Sequence, residues 1–420
     1  MRSNCLCNVG FHLKQRLCTM SKGKVKHMQL NHGSIVLRKA TSATKHLSCW
    51  RSMDFTFLSL LMLLLGIGLI MLLSASFPSA YYELRRPTYY FTRQLLYAAL
   101  GIFTMLAISL MDYHLLKKLA RPLLLLSLLL LFLVLIPGIG EVRNNARRWI
   151  SICGLFTFQP SEIVKLAVIL DFSASIAWKK NSMHTWKQGV KPYICILLII
   201  AVLMMGEPHL SGTILIIGTG IILMIIGGIH WKWIAIGLAA MVAAVVALIT
   251  GAFPYGQSRI AMWRDPFIDA SGAGYQLAQS LIAIGSGGLT GVGLGKSRQK
   301  FLYLPEEHND FIFAIVCEEL GFIGAAIILL VFMAVIVRGY WIALQAPDRF
   351  GLLLVVGVIS LFAMQTFFNV AVVTGLFPTT GISLPFFSYG GTALCLQLLE
   401  MGIVLSVSKY RRNVSSRESQ

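Results

Sequence analysis

Charge is scarce in this chain, and acid is scarcest. The 420 residues hold 17 Asp and Glu, and charged residues of all four types make up 13%. A soluble domain averages about 25%. With 56% hydrophobic residues and a mean hydropathy of +0.74, the chain reads as a polytopic membrane protein. Other absences narrow this further. The first 52 residues carry ten Lys and Arg and no acid, but no apolar stretch follows the first basic residues. No signal peptide is therefore expected there. The segment reads as a disordered basic tail on anionic headgroups, or as a start that belongs downstream, for instance at Met53. Cys5 and Cys7 lack a second ligand pair at metal spacing, so no zinc site is expected there. Only Cys153 falls clearly in an outside loop, so no exported disulfide framework is expected. No internal repeat or soluble domain is visible.

What is present is apolar sequence in long runs. Reading runs of about 17–25 residues as spans predicts an all-α fold of ten transmembrane helices. They cover approximately Phe55–Ala75, Leu95–Met111, Leu123–Ile136, Glu162–Trp178, Tyr193–Met205, Thr213–Gly228, Trp233–Ala252, Phe311–Val337, Leu352–Leu376 and Leu384–Val407. Residues 53–410 then form the membrane domain, and 411–420 a second cytoplasmic tail. The net charge of +19 suggests nucleic acid at first sight. In a membrane protein it more often records orientation, because Lys and Arg collect inside. With both termini inside, inner segments hold 24 Lys and Arg, outer segments hold 11, and Lys165 lies within a span. No nucleic-acid partner is expected. Three of the outer cations, Arg143, Arg147 and Arg148, share one loop, which suggests that they have work there. The large connection, Phe253 to Asp310 between the seventh and eighth spans, is also outside. Loops this long in compact proteins are usually functional.

Ionisable groups inside spans are costly and are functional candidates by default. Glu162 and Lys165, three residues apart, share a helical face and can pair. Asp171 can join their seam, Glu207 and His209 bracket a turn, and Glu400 lies in the last span. "LPEEHNDFIFAIVCEELG" (304–321) places five carboxylates at the start of an apolar run. On a continuous helix Glu318 would stand about 12 Å deeper than Asp310. Asp310 is also placed to cap that helix. "GVGLGKS" (291–297) lacks the glycine a P-loop needs at position 290. Six glycines from Gly285 to Gly295, followed by Lys296, Arg298 and Lys300, could either cradle a pyrophosphate on exposed N–H groups or form a turn-rich linker.

Four segments together resemble the SEDS family (shape, elongation, division, sporulation). They are "ARRWI" with "FQPSEIVK" (146–165), "SGAGYQLAQSLIAIGSGGLTGVGLGKS" (271–297), "LPEEHNDFIFAIVCEELGFIG" (304–324) and "FPTTGISLPFFSYGGTALCLQ" (377–397). The last two look closer to the FtsW and SpoVE branches than to RodA. The resemblance covers about residues 53–410. It implies a peptidoglycan glycosyltransferase of the bacterial plasma membrane that polymerises lipid II on the outer face, at the septum or in sporulation. It also implies a class B penicillin-binding transpeptidase and other divisome proteins as partners. The family's essential aspartate carries to Asp310, its cavity-lining Glu and Lys to Glu162 and Lys165, and the Arg of its early Arg-Gln to Arg93. His209 stands where the family often has Asp.

That chemistry would need a base for the acceptor's 4-hydroxyl and cations for the leaving pyrophosphate. An α-linked donor yielding a β1,4 bond implies inversion. Asp310 is the candidate base, and Arg147, Arg148, Arg259, Arg264, Lys296 and Arg298 are the candidate cations. Gln276 and Ser388, within the matching segments, complete the expected substrate-binding set. A divalent cation could assist, but no ligand cluster specifies one. A lipid II flippase and a non-catalytic scaffold for the transpeptidase are the alternatives. The flippase would predict polar midplane sites in two symmetric halves, and no such symmetry is visible.

Overall fold

The computed structural model describes residues 53–143, 146–152, 156–179, 182–207, 209–237, 239, 263–269, 272 and 274–410. Helix α1 (Phe55–Leu84) starts where Asp54 accepts from the Phe57 N–H at 3.0 Å, and ends at Arg85 in the left-handed region. Its 30 residues span about 45 Å, more than the roughly 30 Å hydrocarbon layer. There follow α2 (Tyr89–Leu110), α3 (Leu116–Leu135), α4 (Pro160–Lys179), α5 (Lys191–Gly206), α6 (Leu210–Ile226), the short α7 (Tyr275–Gly287), α8 (Ile312–Leu344), α9 (Arg349–Val373) and α10 (Gly391–Ser408).

Seven helical segments among the described residues are long and apolar enough to cross a membrane: α1, α2, α3 and α5 with their leading turns, α8, α9 and α10. Helix α6 is apolar but shorter. Helix α4 carries Glu162, Lys165 and Asp171, and the apolar helices α6 and α9 pack against it. Most of α9 is buried, which places it at the centre. Small residues set the closest approaches, as expected where lipid removes the hydrophobic drive between helices. A Cβ at Gly402 of α10 would lie 2.6 Å from the Met105 carbonyl oxygen of α2. Of the expected seventh span, residues 231–237 and 239 are helical, and the rest lies outside the described residues.

Two features depart from the all-α expectation. Three short strands, β1 (Gly140–Arg143), β2 (Ala146–Ile152) and β3 (Phe156–Phe158), form an antiparallel sheet in the order β1-β2-β3. Strands this short, set between two helices, are hidden by the surrounding hydropathy. Second, α8 is broken at Gly321, with φ 67° and ψ −173°. The N–H groups of Val292 and Gly293 bond the Glu318 and Glu319 carbonyls at 3.0 Å, and those of Phe322 and Ile323 bond the Gly288 and Leu289 carbonyls at 2.9 and 3.1 Å. The glycine-rich loop thus fills the hydrogen bonds that the break leaves open. Gly321 and Gly291 must be glycine, because both have positive φ and a Cβ on either would strike the other's backbone.

Candidate functional site

Asp310 precedes α8 and does not cap it. The cap position is Phe311, and no side chain caps the helix start. Asp310 and Glu318 therefore do not share one continuous helix. What fixes Asp310 is its own backbone. Asn369 on α9 donates from Nδ2 to the Asp310 carbonyl at 2.7 Å and to the Ile382 carbonyl at 2.7 Å. Ser388 Oγ donates to the Asn309 carbonyl at 2.7 Å and accepts from the Leu384 N–H at 2.7 Å. Tyr389 N–H donates to the His308 carbonyl at 2.9 Å. Gln94 on α2 ties on the far edge of this loop, donating to the Ser388 carbonyl at 3.2 Å and accepting from the Gly390 N–H at 3.3 Å. Loops 304–311 and 379–390 are thus stitched into one platform. Each holds a non-glycine residue at positive φ, Glu306 at 57° and Phe386 at 64°, the kind of strain a surrounding structure must enforce.

The Asp310 carboxylate is half-buried. Burial first, and then the Glu306 carboxylate, push its pKa from 3.8 up to about 6, against the opposing pull of Arg148 and His308. Gly381, at φ 69°, passes beside it, and a Cβ there would lie 3.1 Å from Asp310 Oδ2. His308 stacks on Tyr90 with ring centres 4.4 Å apart, and Tyr90 meets Tyr389 edge-on at 4.9 Å. Arg93 lies over the Tyr89 ring at 4.6 Å and faces the Tyr389 hydroxyl.

From Asp310 a polar seam leads inward. Arg148 on β2 influences Asp310, Glu207 and His209, and its Nε donates to the Glu207 carbonyl at 3.2 Å. Arg147 is exposed, because successive strand residues point to opposite faces. Glu207 is fully buried, and among the described residues its two carboxylate oxygens have no hydrogen-bond partner. Burial raises its pKa to about 8 despite Arg148. His209 is driven down to about 3 by burial and by the cations Arg148 and Lys165, so it is neutral near pH 7. Its Nδ1 lies 3.4 Å from Gln159 Nε2. Lys165 pairs with Glu162 at 2.7 Å, both largely buried, with Glu400 in electrostatic reach.

Other expected residues lie elsewhere. Arg259 is outside the described residues. Arg264 is exposed. Gln276 opens α7, and its Nε2 reaches the Pro305 carbonyl at 3.4 Å. The glycine-rich loop does not offer a free cradle. Besides Val292 and Gly293, the N–H groups of Arg298 and Gln299 go to the Glu318 carboxylate at 2.9 and 3.4 Å, and Ser297 Oγ donates to it as well. Lys300 is buried against Glu319 at 2.8 Å and Ser74 at 3.0 Å. Lys296 and the Arg298 side chain are exposed and take no part in the Asp310 platform. Sequence reading missed Gln94 and Asn369, although each is a polar residue in an apolar helix, the available signal. Among the described residues no group of three or more His, Cys, Asp or Glu could hold a metal ion.

The family model described as cell cycle protein, FtsW/RodA/SpoVE, matches residues 55–413. The chain is 43% identical to stage V sporulation protein E of Bacillus subtilis over 365 residues, covering 86% of this chain and 98% of that one. It is 39% identical to a probable peptidoglycan glycosyltransferase FtsW of Trichlorobacter lovleyi, covering 84% and 93%. Among solved structures, a chain of a peptidoglycan synthase complex coordinating polymerization and crosslinking superposes with TM-score 0.72 at 26% identity, covering 86% and 99%. The rod shape determining protein RodA of Thermus thermophilus superposes with TM-score 0.64 at 25% identity, covering 87% and 99%. With the family model and these relatives covering most of its length, the chain belongs to the FtsW/RodA/SpoVE family.

Proposed function

We propose that this chain is a peptidoglycan glycosyltransferase that polymerises lipid II at the outer face of a bacterial plasma membrane, working beside a class B penicillin-binding transpeptidase. Ten spans with both termini inside, a basic tail over 1–52 and a second tail over 411–420 complete the architecture. The observation that carries the reading is Asp310, a half-buried carboxylate with its pKa near 6, held through its backbone carbonyl and, among the described residues, in no side-chain ion pair. A carboxyl group tuned upward is suited to proton transfer near neutral pH.

In the step we infer, Asp310 takes the proton of the acceptor sugar's 4-hydroxyl. That oxygen attacks the donor's anomeric carbon from the face opposite the leaving group. The bond to the lipid pyrophosphate breaks, and the configuration inverts. Arg148, with Arg147 further out and Arg259 and Arg264 on the large loop, supplies positive charge for the departing pyrophosphate. Arg93 and the Tyr90–His308–Tyr389 cluster offer aromatic faces and a cation beside the same platform. In this reading Glu162, Lys165 and Gln276 contact the substrate, as the family resemblance implies. Names attached to relatives, a probable glycosyltransferase and a sporulation protein, support polymerisation during division or sporulation. The test is glycan-strand formation from lipid II by purified protein with its cognate transpeptidase. Strands from wild type and none from Asp310→Ala support the reading. No strands from either, in a demonstrated complex, would favour transport or scaffolding.

A further inference from the structure

A second polar site shares no residue with the Asp310 platform. A cavity of about 490 Å3 opens where α3 begins, α4 ends and α5 begins. Alternating crossings bring these three helix ends to one face of the membrane. The cavity is lined by three cations, Lys117, Arg121 and Lys179, against a single carboxylate, Asp171. That carboxylate is already used. Its side chain is 6% exposed, and Arg121 spans both of its oxygens at 3.1 and 3.4 Å. The Arg121 side chain nevertheless stays 64% exposed, so part of its guanidinium fork remains accessible. Lys117 lies over the Phe350 ring at 5.0 Å. Lys179 lies over Tyr193 at 5.2 Å and donates to the Gln188 carbonyl at 2.9 Å. Among the described residues neither lysine forms a salt bridge, although Lys179 lies within electrostatic reach of Asp171.

The surroundings of the cavity are apolar on the membrane side. Ala120, Ala174 and Ile196 line it, and Leu119, Leu198 and Val202 stand exposed on the same helices. Trp178 at its edge is 84% exposed, and tryptophan of this kind concentrates at the headgroup level. Excess cations above an apolar wall fit a ligand that is anionic at one end and greasy at the other. We propose that this cavity binds the phosphodiester headgroup of an anionic membrane phospholipid, with Lys117, Arg121 and Lys179 on the phosphate and the acyl chains along α3 and α5.

The test uses the full-length protein in neutral detergent, titrated with dioctanoyl phosphatidylglycerol while binding and thermal unfolding are followed. Dioctanoyl phosphatidylcholine and glycerol phosphate are the parallel titrants. Lys117→Gln/Lys179→Gln removes charge without stranding Asp171. Lys118→Gln removes one charge from an exposed neighbour outside the cavity, and Lys117→Arg/Lys179→Arg keeps the charge. The expected result is saturable binding of phosphatidylglycerol, weakened about tenfold or more in the Gln pair, with Lys118→Gln and the Arg pair close to wild type. Equal binding of phosphatidylcholine, or equal loss in Lys118→Gln, would overturn the site. Glycerol phosphate binding as tightly as the lipid would keep a phosphate site and overturn the lipid assignment.

Discussion

Asn369, near the C-terminal end of the apolar helix α9, donates from one amide nitrogen to the main-chain carbonyls of Asp310 and Ile382, each at 2.7 Å. One side chain thus joins the two loops of the platform. Replacing it with Leu leaves two carbonyls without their donor, each costing about 1–3 kcal/mol where buried. Asn369→Leu is expected to lower thermal stability and to cut polymerisation more steeply than it lowers the amount of folded protein. Comparing specific activity with melting temperature checks this.

The pH dependence follows from Asp310. A base must be ionised, so the polymerisation rate should rise with pH through about 6 and then level off. The stability effect has the opposite sign. The folded chain holds a proton between pH 3.8 and about 6 that the unfolded chain releases. Stability attached to this group is therefore lost as pH rises through that window. Asp310→Asn should melt higher than wild type at pH 7 and equally at pH 4, which paired melting curves would show.

Lys300 and Glu319 form a buried pair at 2.8 Å that also holds Ser74 of α1. Removing one partner strands the other charge, at about 3–5 kcal/mol. Lys300→Met is expected to destabilise strongly, and Lys300→Met/Glu319→Leu to recover part of the loss. A double-mutant cycle on melting temperature tests the coupling.

Gly321→Ala places a Cβ at φ 67° and against the Gly291 backbone. Misfolding or a loss of at least about 2 kcal/mol is expected. Ala at Gly66, where a Cβ meets nothing within 4 Å, should be close to neutral. Yield and melting temperature of the two variants distinguish them.

Hydropathy made the long helices legible, because lipid demands apolar length. It blurred their ends. Helix α1 runs nine residues past the expected Ala75, and Ser79 near its end donates to Glu307 of the platform. Helix α10 starts at Gly391 rather than Leu384, because the preceding loop is held non-helical against His308 and Asn309. The break at Gly321 was not read from the sequence, although the Glu318–Glu319 pair just before it interrupts the apolar run. Asp310, Arg148 and the Glu162–Lys165 pair stood out as charges in unexpected places. Their companions Gln94, Asn369 and Gly381 act through backbone contacts that no spacing encodes. The pairing of Lys300 and of the N–H groups after the glycine-rich loop was not legible, because the acids that engage them come from α8.

The most direct measurement is lipid II polymerisation at pH 7 by the purified chain with its cognate transpeptidase, wild type beside Asp310→Asn, each first shown to be folded by its melting curve. The account predicts glycan strands from wild type and none from a variant that melts at least as high. Strands from folded Asp310→Asn at a rate near wild type would contradict it.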